Sequence, residues 1–105
     1  MFNFRRKAAP DINAMLETVH QTPGAVLIDV REVDEYQEGH IPGAVNIPLS
    51  SIGAIETKVP DHDAPLFVYC HSGARSEKAK QYMEQAGYRS VVNIGGIMAY
   101  TGNLE

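Results

Sequence analysis

Two short apolar runs constrain the fold of this 105-residue chain more than any other feature. They cover residues 25–30 and 66–69. Nearly unbroken runs of this length are typical of strands covered on both faces, which is the usual condition in a parallel sheet flanked by helices. Helical spacing of apolar residues elsewhere in the chain predicts that strands and helices alternate within one α/β domain, residues 1–105.

The predicted elements follow one another without repeats or linkers. Strands are predicted over residues 3–6, 25–30, 44–47, 66–69 and 90–94, and helices over 10–21, 33–37, 49–57, 76–86 and 97–100. Ser50 or Ser51 is expected near the cap of the third helix, and Gly95-Gly96 is expected to form a turn before the last one. Right-handed crossovers between such strands predict a three-layer sandwich with a central, mainly parallel sheet of about five strands.

Cys70 is the only cysteine, and small or polar residues follow it at the end of the predicted strand 66–69. In a strand, loop and helix unit, the loop can turn its N–H groups inward to form an anion-binding nest at the positive end of the helix. The small side chains of Ser72, Gly73 and Ala74 allow the chain to curl tightly around one sulfur atom. Such a nest lowers the pKa of a thiol, so the sequence predicts a reactive thiolate.

The alternative interpretation of Cys70 is a small buried hydrophobic residue, which is the common role of a lone cysteine. A cysteine kept for packing belongs inside a strand, whereas this one ends a strand and precedes a polar loop. Open α/β sheets bind ligands at that edge. The position therefore favours reactivity over packing.

Composition narrows the classes of function. Nine basic residues against thirteen acidic ones give no support for nucleic-acid binding, and the cluster Arg5-Arg6-Lys7 is interpreted as a solvated end. A single cysteine excludes an intrachain disulfide framework and a cysteine-based zinc cluster. The chain shows no apolar signal region and no membrane span, so we expect a soluble, cytoplasmic monomer without a metal.

Four segments resemble the single-domain rhodaneses. They are residues 27–32 with Glu35 and Tyr36, residues 39–48, residues 68–70 with Gly73, Arg75 and Ser76, and the pair Gly95-Gly96. The resemblance implies a rhodanese fold and sulfurtransferase chemistry without a metal or organic cofactor. A loop cysteine of this family takes a sulfane sulfur from a donor such as thiosulfate. It passes the sulfur, as a persulfide, to cyanide, a thiol or a protein acceptor.

The predicted site has three groups of residues. They are the nucleophile Cys70, the substrate-binding residues His71, Ser72, Gly73, Ala74, Arg75 and Ser76, and the supporting residues Asp29, Arg31, Glu35 and His40. His71 acts either through its side chain or only through its own amide. His40 matches a family position and is interpreted as a structural residue that forms hydrogen bonds.

Arg75 has two possible roles. Its guanidinium could face an incoming anion, or it could turn inward to a carboxylate such as Asp29 at the end of the neighbouring strand, which is the role we favour. Asp29 and Arg31 would then brace the pocket from behind. Glu35 lies four residues after Arg31 and could hold that guanidinium as a fork-like pair.

Other functions on the same fold make different demands on the loop. A cysteine phosphatase or arsenate reductase needs one residue more between cysteine and arginine than residues 71–74 supply, because the loop must hold a tetrahedral oxyanion. Disulfide exchange is excluded by the lack of a second cysteine. A binding or regulatory module without catalysis remains an alternative, although it would not need an intact cysteine loop.

One departure from the family concerns the segment after Gly95-Gly96. Many relatives carry a tryptophan there, whereas this chain has residues 97–100 and no tryptophan at all. The apolar wall beside the loop, and with it the donor and acceptor, therefore cannot be carried over from the family. The loop also lacks a pair of free cations, so we expect weak activity with the thiosulfate dianion.

Overall fold

The computed structural model describes residues 11–105, and these form an alternating series of helices and strands. The α-helices are α1 (Ile12–Gln21), α2 (Val33–Glu38), α3 (Ile55–Lys58) and α4 (Ala74–Gln85). The strands are β1 (Val26–Asp29), β2 (Val45–Asn46), β3 (Leu66–Cys70) and β4 (Val91–Gly96). Two 3₁₀ helices cover Leu49–Ala54 and Ile97–Ala99. Within these residues no helix has the length and apolar content needed to cross a membrane.

The sheet is parallel throughout and has the strand order β2-β1-β3-β4. It contains four strands within residues 11–105, where about five were predicted for the whole chain. The predicted strand 3–6 lies outside the described residues. Because parallel strands end at the same edge, Asp29 of β1, Cys70 of β3 and Gly96 of β4 lie side by side at the carboxyl edge of the sheet.

The core has two halves, one on each face of the sheet. Leu66, Val68 and Cys70 of β3 belong to the half covered by α3 and α4, and Phe67 and Tyr69 belong to the half covered by α1. The side chains of a strand alternate between faces, so a strand covered on both sides has to be apolar at every position. This confirms the three-layer α/β fold predicted from the apolar runs.

Two helix starts differ from the prediction. The segment after Pro48 is a 3₁₀ helix, and its start has no side-chain cap, so neither Ser50 nor Ser51 caps it. The Ser50 hydroxyl instead donates to a carboxylate oxygen of Glu32 at 2.8 Å. Helix α4 begins at Ala74, two residues before the predicted start, because Gly73 makes the entering turn with a φ of 105°.

Candidate active site

Cys70 lies at the floor of a tight loop, residues 71–76, which we call the cysteine loop. The residue is buried, with 1% of its surface exposed. The Gly73 N–H donates to its Sγ atom at 3.0 Å, and the Ser76 hydroxyl lies 3.5 Å from the same atom. Because α4 begins at Ala74, Ser76 stands in its first turn, and the sulfur faces the positive end of this helix.

Two opposing influences act on the thiol of Cys70. Burial is the largest single one, and it raises the pKa because a charged sulfur is costly away from water. Hydrogen bonds from the Ser76 hydroxyl and from the amides of Ser76, Gly73 and Ser72 act in the opposite direction. Together they outweigh burial, so the pKa of Cys70 lies below the ordinary cysteine value. The loop therefore stabilises the thiolate form of Cys70 relative to an ordinary cysteine.

Gly95 and Gly96 continue strand β4 instead of forming the predicted turn. They pair with Tyr69 and Cys70, so β4 runs alongside the floor of the loop. A Cβ atom on Gly96 would lie 2.2 Å from the carbonyl oxygen of His71 and 2.5 Å from Cα of Ser72. Backbone atoms cannot yield to such contacts as a flexible side chain can. Gly96 is needed because the loop packs directly on β4.

Arg75 pairs with Glu35, and not with Asp29 as predicted. Its two terminal guanidinium nitrogens donate to the two Glu35 oxygens at 2.7 and 3.0 Å. Asp29 is already occupied, because its carboxylate accepts from the backbone N–H of Arg31 at 2.8 Å and from the Arg31 side chain at 2.8 to 3.1 Å. Arg75 thus pairs with a carboxylate, as we favoured, but that carboxylate belongs to Glu35. Arg31 pairs with Asp29 and not with Glu35.

The pair between Arg75 and Glu35 neutralises the charge beside the cysteine loop. The Arg75 hydrogen bonds are the main cause that lowers the pKa of Glu35 to about 2, against a smaller opposing effect of burial. A carboxyl whose pKa is depressed contributes stability above its ordinary range, and loses it as the pH falls towards 2. The pair therefore stays ionised at any physiological pH, and Arg75 presents little free positive charge.

The remaining supporting residues lie behind the loop. The Arg31 guanidinium also donates to the Gly39 carbonyl at 2.7 Å, which ties the end of β1 to the turn after α2. His40 stacks on Tyr36 with ring centroids 3.7 Å apart, and its Nδ1 lies 3.0 Å from the Tyr36 carbonyl oxygen. These contacts hold the turn before β2.

A cleft of about 510 Å³ borders the cysteine loop on the side of His71. His71 is exposed, and Ile97 and Tyr100 also form part of the wall of the cleft. This wall is the segment in which the chain has no tryptophan. A second cleft, of about 390 Å³, borders the same loop at Ser72 and Gly73.

Asn93 in β4 was not among the predicted site residues, although it contacts the cysteine loop directly. Its amide nitrogen donates to the carbonyl oxygen of Gly73 at 3.1 Å, and its amide oxygen accepts from the Ser76 hydroxyl at 2.8 Å. The sequence held one signal, because Asn93 is the only polar side chain within an otherwise apolar or glycine strand. A lone amide in such a strand needs partners, and here the loop supplies them.

Comparison with known protein families identifies the family of this chain. The model of the rhodanese-like domain matches residues 9–103, which is nearly the whole chain. The chain belongs to the rhodanese family. This confirms the resemblance identified in the sequence, and the fold of the rhodanese domain is the parallel α/β sandwich described above.

Named relatives are consistent with this assignment. The chain is 35% identical over 95 residues to the putative sulfur carrier protein YrkF of Bacillus subtilis. The aligned region covers 90% of this chain and 51% of YrkF. The chain is 44% identical over 71 residues to the thiosulfate sulfurtransferase PspE of Escherichia coli, covering 67% of this chain and 68% of that protein. The chain thus spans about half the length of YrkF.

A solved structure described as a rhodanese with anions from E. coli superposes with a TM-score of 0.71 at 38% identity. The match covers 77% of this chain and 96% of that one. Proteins named as a putative sulfur carrier and as sulfurtransferases are thus among the relatives of this chain.

The hydrogen bonds to Cys70 lead to a prediction about its ionisation. In a pH titration of thiolate absorbance, we expect the rhodanese domain to form the thiolate at a lower pH than an unstructured peptide with one cysteine. The protein unfolded in urea is the control, since unfolding removes the loop hydrogen bonds and should restore the ordinary profile. Identical profiles for folded and unfolded protein would mean that the loop does not stabilise the anion.

Proposed function

We propose that this rhodanese domain transfers a sulfane sulfur from a small donor to a thiophilic acceptor through a persulfide on Cys70. The observation that carries the proposal is the geometry at the sulfur of the only cysteine in the chain. The Gly73 amide meets it at 3.0 Å and the Ser76 hydroxyl lies at 3.5 Å. Donors in this position stabilise a negative charge on sulfur, which is the charge that both the thiolate and its persulfide carry.

The reaction has two steps. The Cys70 thiolate attacks the outer sulfur of the donor, a new sulfur–sulfur bond forms, and the old one breaks. With thiosulfate, sulfite leaves with the bonding electrons. Cyanide or a thiolate then attacks the terminal sulfur of the persulfide, which yields thiocyanate or a new persulfide and restores the Cys70 thiolate. Because the attacking group is already a thiolate, the first step needs no general base. Because the persulfide forms before the acceptor reacts, the cycle is ping-pong.

The other loop residues would act mainly through their backbone. Ser72, Gly73 and Ser76 supply amides that lower the pKa of the thiol, and Ala74 starts the helix behind them. His71 is exposed and lies on the wall of the adjoining cleft, where it can contact the donor or acceptor. Asp29, Arg31 and His40 would support the site from behind, because their hydrogen bonds lie within the strand end and the turn.

The identity of the donor is a separate part of the proposal. PspE is named a thiosulfate sulfurtransferase, which makes thiosulfate a natural first donor to test. Thiosulfate is a dianion, however, and the charge of Arg75 is neutralised by the two hydrogen bonds to Glu35. We therefore expect thiosulfate to load the protein more slowly than an organic persulfide of lower charge.

The test is the mass of the intact protein after incubation with each donor. We expect a gain of one sulfur atom, faster with the organic persulfide, and its loss on addition of cyanide or a thiol. Iodoacetamide-treated protein is the matched control, because a blocked Cys70 cannot accept sulfur. Unchanged mass with every sulfane donor would contradict the proposed function.

A binding module without catalysis is the second candidate, and the burial of Cys70 favours it. With 1% of its surface exposed, the residue also fits a packing role in the core half beneath α4. The mass experiment separates the two, since a packing cysteine gains no sulfur. The phosphatase alternative is tested by incubating the protein with a chromogenic aryl phosphate and measuring its hydrolysis. We expect no hydrolysis, because the short loop suits one sulfur atom better than a phosphate.

A further inference from the structure

Asn93 uses both polar atoms of its side chain around the cysteine loop. Its Oδ1 accepts from the Ser76 hydroxyl at 2.8 Å and from the Gly95 N–H at 3.0 Å. Its Nδ2 donates to the Gly73 carbonyl at 3.1 Å and to a Glu77 oxygen at 3.2 Å. A backbone N–H can only donate and a carbonyl can only accept, so these two partners determine the orientation of the amide.

An irregularity in β4 brings Asn93 to this position. Val68 pairs with Asn93, but the next residue, Tyr69, pairs with Gly95, so Ile94 is an extra residue in β4. Bulges of this kind turn a side chain away from the direction it would have in a regular strand. The Gly95 N–H, which the shifted register leaves beside Asn93, is satisfied by the Asn93 side chain.

We propose that Asn93 is a positioning residue that holds the cysteine loop in the shape in which the Gly73 amide and the Ser76 hydroxyl meet the sulfur of Cys70. The proposal rests on the proposed function and extends it to a residue outside the loop. Asn93 makes no hydrogen bond to the sulfur itself, and it acts through its two loop partners.

Gly73 is the partner that most needs such a tether. Its φ of 105° lies in a region that glycine enters and leaves at little cost, so the residue does not hold its own peptide groups in place. The Gly73 amide makes the shortest hydrogen bond to Cys70, at 3.0 Å. The carbonyl of the same residue accepts from the Glu77 backbone N–H at 3.2 Å and from the Asn93 amide at 3.1 Å. Through the second of these bonds, Asn93 restricts the rotation that would carry the Gly73 amide away from the sulfur.

Ser76 is the second partner, and its hydroxyl has a single proton to donate. Three acceptors surround this hydroxyl, namely Oδ1 of Asn93 at 2.8 Å, the Gly73 carbonyl at 3.0 Å and Sγ of Cys70 at 3.5 Å. While Cys70 is a neutral thiol, the Asn93 oxygen is the nearest acceptor. When the sulfur carries a negative charge, the proton can rotate to it, and Asn93 has kept the hydroxyl within reach.

The test is a thiolate absorbance titration of Asn93→Ala, with Cys70→Ser as the blank. The chain has one cysteine, so the signal reports Cys70 alone. We expect the midpoint to move to higher pH, and the ratio of thiolate to thiol at neutral pH to fall about fivefold, which corresponds to one lost hydrogen bond. Sulfur loading at neutral pH should fall by the same factor and recover at alkaline pH.

Asn46→Ala is the matched control. The Asn46 side chain also donates two hydrogen bonds to backbone carbonyls, those of Asp29 and Arg31 at 3.0 and 2.9 Å, but it has none to the cysteine loop. It should lose comparable stability and keep the wild-type titration. If both alanine variants titrate like the wild type, the role assigned to Asn93 is wrong.

Asn93→Asp tests the same point should the alanine variant fail to fold. It keeps the acceptor for Ser76 and Gly95 and loses the donor to Gly73, and its new charge beside Glu77 opposes a thiolate. The ion pair of Arg75 with Glu35 and the side chain of His71, which also border the loop, are the same in both proteins. We expect its midpoint to lie above that of the wild type, and an unchanged midpoint would overturn the proposal.

The titration needs no sulfur transfer, so the two proposals fail separately. A shifted midpoint in a protein that never gains sulfur would refute the proposed function and leave the role of Asn93 in place. Normal sulfur loading of the wild type, together with an unshifted midpoint in Asn93→Asp, would support the proposed function and refute the role of Asn93.

Discussion

Replacing Cys70 with serine will abolish sulfur transfer while the fold remains. No second thiol exists in the chain, and a serine hydroxyl does not form a persulfide. We expect transfer to fall by at least about a thousandfold, as in other enzymes that lose their nucleophile. The serine is nearly the size of the cysteine and can accept the same Gly73 hydrogen bond, so stability should change by only about 1 kcal/mol.

Transfer is measured as sulfur gained by the intact protein and as thiocyanate released with cyanide. The thermal unfolding curve of Cys70→Ser is the control for the fold, because loss of activity means little in an unfolded variant. Turnover close to that of the wild type in a folded Cys70→Ser protein would show that the sulfur passes through another group.

Replacing Gly96 with alanine will displace the cysteine loop and destabilise the domain. The added Cβ would lie 2.2 Å from the His71 carbonyl oxygen and 2.5 Å from Cα of Ser72, well inside van der Waals contact. The clash is with backbone, so the loop itself has to move. We expect a loss of about 3 kcal/mol in the free energy of unfolding, at the upper end of the usual cost of overpacking, together with loss of sulfur loading.

Gly53→Ala is the matched control for this substitution. A Cβ at Gly53 meets only the Tyr82 hydroxyl oxygen at 3.5 Å, which is an ordinary contact. Urea unfolding followed by circular dichroism should therefore place Gly53→Ala near the wild type and Gly96→Ala well below it. Equal stabilities, with equal sulfur loading, would mean that the loop can move away from β4 at no cost.

Features that depend on local sequence were predicted well. The apolar runs predicted β1 and β3 because strands buried on both faces must be apolar along their whole length. The face of α1 formed by Ile12, Leu16 and Val19 was recognised by its helical spacing and is buried in the structure. The position of Cys70 at a strand end followed from the same reasoning, because a strand boundary is visible in the change from apolar to small polar residues.

Contacts between distant segments were predicted poorly. Arg75 was expected to turn inward to a carboxylate such as Asp29, and it does pair with a carboxylate, but with Glu35. The sequence does not show that Arg31 already occupies Asp29. Glu35 lies 40 residues from Arg75, and only the folded chain brings the two side chains together. The partner of a surface charge depends on which groups are still free after folding.

The sequence by itself determined the order of the elements, the parallel sheet and the placement of one cysteine at its carboxyl edge. All three follow from periodicity and from the chemistry of neighbouring residues. Only the tertiary structure decided that Gly96 lies under the loop and that Asn93 holds it. These roles depend on a strand that begins 15 residues after the end of the loop, on a register shift in that strand, and on distances of a few ångströms that spacing along the chain does not encode.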